Sequence, residues 1–202
     1  MKNLLLILLV ATAASCTNAN TSETKAETGA SSSTDNGNAA ANIEVVKKYM
    51  DAELRGDTTA MSAVMTDDYI QYGLGVKDSA NKQKTLSGIQ HHWEAYKYGG
   101  KSYKDVETIA VTTTDDGGRG RGKGDWVLLW GDLSTIYPAS PDYGNKSITA
   151  TFAYHAAYRV KNGKVDTRTV YFNHEDIMRQ LGYKMISVAE QQKPAAAGLK
   201  IK

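Results

Sequence analysis

VVKKYMDAELRGDTTAMSAVMTDDY, residues 45–69, is the stretch whose reading decides the fold. Taken back to Asn42 as N-cap, it predicts a helix with Ile43, Val46, Tyr49, Met50 and Leu54 on one face at helical spacing. Gly56 is the expected stop. Asp57 then caps a second short helix, TTAMSAVM, with Met61, Val64 and Met65 facing inward. The acidic pair Asp67–Asp68 leads into YIQYGLG, where Tyr69 and Gln71 alternate with Ile70 and Tyr72, the pattern of a short strand.

Beyond it, KDSANKQKTLSG (77–88) reads as a polar loop, and Ser87 caps an expected third helix, GIQHHWEAYKY, ending at Gly99-Gly100. From there the period changes from helical to alternating. Residues 103–113, 126–137, 146–160 and 165–173 are expected strands, separated by DDGGRGRGKGD, PASPDYGN and the tight turn KNGK. HEDIMRQLG closes with a short helix. Helices followed by a meander of long strands predict an α+β domain over 42–185, with three N-terminal helices packed on a curved antiparallel sheet that wraps them into a cone.

The two ends read differently. MKNLLLILLVATAAS (1–15) has a positive start, an apolar run over Leu4–Val10 and small residues before Cys16, the only cysteine. The run is far below the ~20 residues a spanning helix needs, so it reads as a signal peptide. A thiol at the first mature position resembles the lipid-attachment site of bacterial lipoproteins, although Ala13 stands where that pattern usually has Leu. A single thiol excludes an internal disulfide. Thr17 stands where many inner-membrane lipoproteins of enteric bacteria carry Asp, so the outer membrane of the cell envelope is the expected location. Residues 16–41 contain no aromatic and no aliphatic residue larger than Ala, the composition of a disordered tether. Residues 186–202 read as a flexible tail. Net charge is +2, which gives no ground for a nucleic-acid partner. The twelve tyrosines and three tryptophans all fall in the expected domain, suiting a cavity of mixed polarity.

The block at 45–69 and a second one, RVKNGKVDTRTVYFNHEDIMRQLGY (159–183), together resemble the nuclear transport factor 2-like superfamily in its SnoaL-like branch. The first matches the opening of helix, Gly-Asp break, helix and acidic pair; the second matches the closing of strand, NGK turn, strand and a helix finishing in QLG. The resemblance implies a cone whose hollow opens between helices and sheet, and pairing as a homodimer through the outer sheet face. Enzymatic members move protons on small apolar ligands with carboxylates and tyrosines; others only bind.

Carried over residue by residue, the resemblance gives Tyr49 as the enolate donor of the steroid isomerases, or as plain core. The isomerase base falls on Gly73. The second acid falls on Ala156 or, with a slip of one residue, on His155, and that slip decides which sheet face is involved. SnoaL-like cyclases often have Asp at Asn173, with Asp176 one turn later. An amide orients a ligand but cannot act as a general base. The sequence therefore favours a domain that binds a small, partly apolar ligand, lined by Tyr49, Tyr69, Tyr72, Trp93, Trp130, Tyr154, Tyr171 and Asn173. The alternative is an isomerase, polyketide cyclase or dehydratase using Tyr49 with His155, His174 or Asp132. A third reading is a scaffold module with a filled interior. No cofactor and no metal is expected: the four histidines include adjacent His91 and His92, which point about 100° apart on a helix.

GGRGRGKG contains a phosphate-loop spacing, but Gly124 replaces the hydroxyl residue that would hold magnesium, and a strand follows instead of a helix. A mobile basic hairpin loop is the expectation. On the last strand, Arg168 enters the hollow if Val170 and Phe172 are core. It lies in solvent if Tyr171 and Asn173 face inward, and the second parity is the expected one because arginines are mostly exposed.

Overall fold

The computed structural model describes residues 38–73, 75, 77–96, 100–114, 122–184 and 186. Cys16, the signal segment, most of the tether, the tail and the Gly-Arg stretch at 115–121 lie outside the described residues. In chain order the elements are α1 (Ala39–Arg55), α2 (Thr58–Ala63), β1 (Met65–Tyr72), β2 (Ser79–Asn81), α3 (Lys82–Tyr96), β3 (Lys101–Thr113), β4 (Gly124–Ser140), β5 (Lys146–Lys161), β6 (Lys164–Phe172) and α4 (His174–Gln180). The expected α+β architecture is present, with three helices ahead of long strands and a short helix last. Among the described residues no helix is long and apolar enough to cross a membrane.

The six strands form one sheet in the order β2-β1-β6-β5-β4-β3. It is mixed rather than wholly antiparallel, because β1 lies parallel to β6, with Met65 opposite Val165 and Tyr72 opposite Thr169. The remaining neighbours are antiparallel hairpins. The β5–β6 turn is fixed locally: Asn162 and Gly163 have φ of 53° and 71°, the left-handed pair of a type I′ turn.

Several boundaries differ from the sequence reading, each for a physical reason. α1 starts at Ala39, ahead of Asn42, which is buried inside the helix instead of capping it. Ala39–Ala41 are the strongest helix formers and extend the turn backward. β1 begins at Met65 because the Val165 amide donates to the Val64 carbonyl at 2.8 Å, a pairing from a hundred residues away. The polar segment 77–88 is not a loop throughout: it supplies β2 and the first turns of α3, with the Asn81 side chain accepting from the Lys84 amide at 2.9 Å. Asp57 caps α2 as expected, accepting from the Ala60 amide at 2.9 Å.

The core lies between α1 and the concave face of the sheet. Tyr49, Val46 and Met61 from the helices meet Val127, Leu129, Tyr158 and Val165 from the strands, all fully buried. Each large apolar side chain so buried contributes about 1.5–3 kcal/mol. The join between α1 and α2 is held by Gly56, at φ 65°, which lets Trp93 of α3 close over it. A Cβ there would sit 2.3 Å from Trp93 Cγ.

Candidate functional site

Alternation along the strands decides what enters the cone. On β4, Val127, Leu129, Leu133 and Thr135 are buried, and on β5, Phe152, Tyr154, Ala156 and Tyr158. On β6, Val170 is buried and Phe172 packs beside it against the core. These faces, with α1, α3 and α4, enclose a cavity of about 570 Å³, within the ~300–1,000 Å³ range of small-molecule sites. The interior is therefore hollow. Its apolar wall comes from Leu133, Phe152, Phe172, Ile177, Met178 and Leu181.

The floor is polar. Arg168 shares the inward parity of Val170 and is 3 % exposed, which corrects the expectation that it lies in solvent. Its Nη2 donates to both Glu53 oxygens, at 2.9 and 3.2 Å, and to the Tyr154 hydroxyl at 2.5 Å. Its Nη1 donates to Tyr49 Oη at 3.3 Å and to Gln71 Oε1 at 3.2 Å. The guanidinium also lies 5.3 Å from the Tyr49 ring centroid and 5.6 Å from that of Tyr158. Tyr49 and Tyr69 share a hydrogen bond of 2.8 Å behind it. Burial alone would lower the Arg168 pKa; Glu53 and the tyrosines outweigh it and hold the charge more firmly than usual. Burial likewise pushes the phenols of Tyr49, Tyr69, Tyr103 and Tyr158 up, so they stay neutral.

Two further nitrogens face the hollow. Lys101, at the start of β3 opposite Thr135, is partly buried, and burial lowers its pKa, with Glu53 opposing and Arg168 assisting. His92 of α3 is pushed down to about 4 by burial, with Lys101 acting in the same sense. Asp78 stands at the mouth, exposed, accepting from the Gly75 amide at 2.9 Å. A shallower groove of about 880 Å³ between α2 and α3 is lined mostly by polar residue types, and its cation Lys82 is partnered by Asp67 at 3.1 Å. Among the described residues no three His, Cys, Asp or Glu groups converge as a metal site would require.

The sequence-nominated residues divide sharply. Tyr154 and His174 line the cavity, and Tyr49 and Tyr69 lie just behind its floor. Tyr72 is half-buried and outside the lining. Trp93 packs over Gly56. Trp130 lies on the outer sheet face, donating to Glu107 at 2.9 Å. Tyr171 is 57 % exposed, on the opposite face of β6 from Val170. Asn173 caps α4, accepting from the Asp176 amide at 3.2 Å. His155 is exposed beside Trp130 and Tyr171 on the outer face, so the inward position is Ala156. Asp132 also points outward, opposite in parity to buried Leu133. Of the positions where the resemblance leads one to expect an acid, Gly73 lines the cavity and Ala156 is buried. Glu53, Gln71 and Lys101 are not singled out as site residues by the sequence, and His92 is weighed there only as a metal ligand. Glu53 was findable: it follows Tyr49 by four residues, hence on the same helical face.

No model of a known protein family matches the sequence, and no curated protein matches it. Solved structures do. A candidate SnoaL-like polyketide cyclase from Shewanella putrefaciens superposes with a TM-score of 0.55 at 12% identity, covering 71% of this chain and 86% of that one. A candidate polyketide cyclase from Xanthomonas campestris gives 0.54 at 20% identity, with 70% and 97% covered. A phenazine biosynthesis-related protein from Pseudomonas aeruginosa gives 0.54 at 13% identity, with 77% and 89% covered. At these identities the likeness establishes the fold: nuclear transport factor 2-like, in the form of the SnoaL-like polyketide cyclases.

Proposed function

We propose that this chain is an envelope-located binding domain whose cone takes a small, partly apolar ligand without carboxylate-driven proton transfer. One observation carries the reading. Of the two carboxylates lining the cavity, Asp78 is at the exposed mouth and Glu53 has both oxygens engaged by Arg168. The terminal nitrogens of Arg168, Glu53, Tyr49, Tyr154 and Gln71 are thus bonded to one another, with Arg168 Nε and the Tyr158 hydroxyl left without a partner, while the wall offers apolar surface. Panels of small carbonyl and aromatic compounds are expected to raise the melting temperature without being consumed. Exchange of a proton α to a carbonyl, or hydration of a bound ligand, would overturn this.

A second reading rests on His174, which lines the cavity as Tyr154 does. The imidazole there supplies the base that an isomerase, cyclase or dehydratase needs. It requires turnover that disappears in His174→Ala. For the amino-terminal end, the proposal is acylation at Cys16 and attachment to the outer membrane; Cys16→Ser is expected to leave the protein in the aqueous phase of a detergent partition. Homodimer formation through the outer sheet face is proposed on the exposed Ile109 and Leu128 found there with Trp130. Sedimentation of Leu128→Asp as a monomer, against a dimeric parent, is the expected result.

A further inference from the structure

The cavity wall and the charge inventory of its lining together specify more than an apolar ligand. Besides its tyrosines, six ionisable side chains line the hollow: Glu53, Asp78, His92, Lys101, Arg168 and His174. Glu53 and Arg168 neutralise each other at 2.9 Å, with 9 % and 4 % of their side chains exposed. Asp78 is exposed at the mouth, where it accepts from the Gly75 amide. Lys101 remains. Its ammonium makes no ion pair or hydrogen bond among the described residues, although Lys101 is partly buried and lines the cavity, opposite Thr135 in the sheet. A cation withdrawn from water without a counter-ion is unfavourable, and the cost is relieved by an anion brought to it.

We propose that the ligand of this cavity is an amphipathic monoanion, a carboxylate on a short apolar or aromatic body, whose head pairs with Lys101 and whose body lies on Phe152, Phe172, Ile177 and Met178. The proposal rests on the binding reading above and deepens it. The geometry is asymmetric in the required way: Lys101 enters from β3 at one side, and the apolar residues come from β5, β6 and α4. Arg168 does not compete for the head, because both of its terminal nitrogens already donate to Glu53, Tyr154, Tyr49 and Gln71. Glu53 disfavours an anion at the floor, where both of its oxygens are held by Arg168, so the head belongs at the Lys101 side.

The test uses three probes of one shape, 4-phenylbutyrate, 4-phenylbutanol and 4-phenylbutylamine, titrated into the full chain by calorimetry. The acid is expected to bind about tenfold more tightly than the alcohol, the factor of one charge-assisted hydrogen bond, and the amine not to bind. Lys101→Met, which keeps length and apolar packing, is expected to bring acid and alcohol together; Lys101→Arg is expected to keep the preference. Equal binding of acid and alcohol by the parent would overturn the anion assignment and leave the cavity reading intact. An acid preference that survives in Lys101→Met would overturn the role of Lys101. Failure of all three probes to bind would count against the cavity reading and this one together.

Discussion

Replacing Glu53 with Leu removes the only carboxylate paired with Arg168 among the described residues. Solvent does not substitute for it, since the two side chains are 9 % and 4 % exposed. Breaking a buried pair from one side costs about 3–5 kcal/mol, because the remaining charge stays in a poorly solvated site. With a urea dependence of about 2 kcal/mol per molar, the unfolding midpoint falls by about 1.5–2.5 M. Glu53→Leu combined with Arg168→Met removes the orphaned charge as well. It is not free of cost: the Tyr154 hydroxyl loses its donor and Gln71 keeps only the 3.4 Å bond from the Tyr69 hydroxyl, and an unpaired buried polar group costs about 1–3 kcal/mol. The double variant is nevertheless expected to lose less than the sum of the two single variants, by about 0.5–3 kcal/mol. Equilibrium urea unfolding followed by tryptophan fluorescence reads all four proteins. A midpoint shift below about 0.5 M for Glu53→Leu, or strict additivity in the cycle, would refute a buried pair as the organiser of the floor.

Acid should weaken the fold through His92. Its folded pKa of about 4 lies below the ordinary 6.5, so the unfolded chain holds more protons in that window. Stability present above pH 6.5 is therefore lost as pH falls toward 4. Solvent reaching the half-buried ring reduces the effect to about 1 kcal/mol. His92→Gln is expected to flatten the difference between unfolding at pH 4.5 and at pH 7; an unchanged difference would refute it. Gly56→Ala is expected to cost about 2–4 kcal/mol, since it combines a left-handed backbone with intrusion into Trp93. Thermal unfolding checks it, and a loss within about 0.5 kcal/mol would show that the Trp93 contact does not constrain the site.

What was readable from sequence follows the reach of the interactions concerned. Helical spacing of Val46, Tyr49 and Met50, the Asp57 cap, the left-handed stop at Gly56 and the NGK turn all depend on neighbours a few residues away, and each is where the pattern placed it. The start of β1 at Met65 depends on pairing with β6, far along the chain, and β2 exists as a short edge strand on β1; pattern alone missed both.

The candidate site divides the same way. By itself the chain determined an α+β fold rich in aromatics. Only the tertiary structure decided which parity of each strand faces inward, and a shift of one residue exchanges Arg168 for Tyr171 or Ala156 for His155. A lone arginine in an alternating strand is expected in solvent. It goes inside here because Glu53, 115 residues earlier, meets it with both oxygens. That compensation is a property of two elements in contact, and neither element carries it alone.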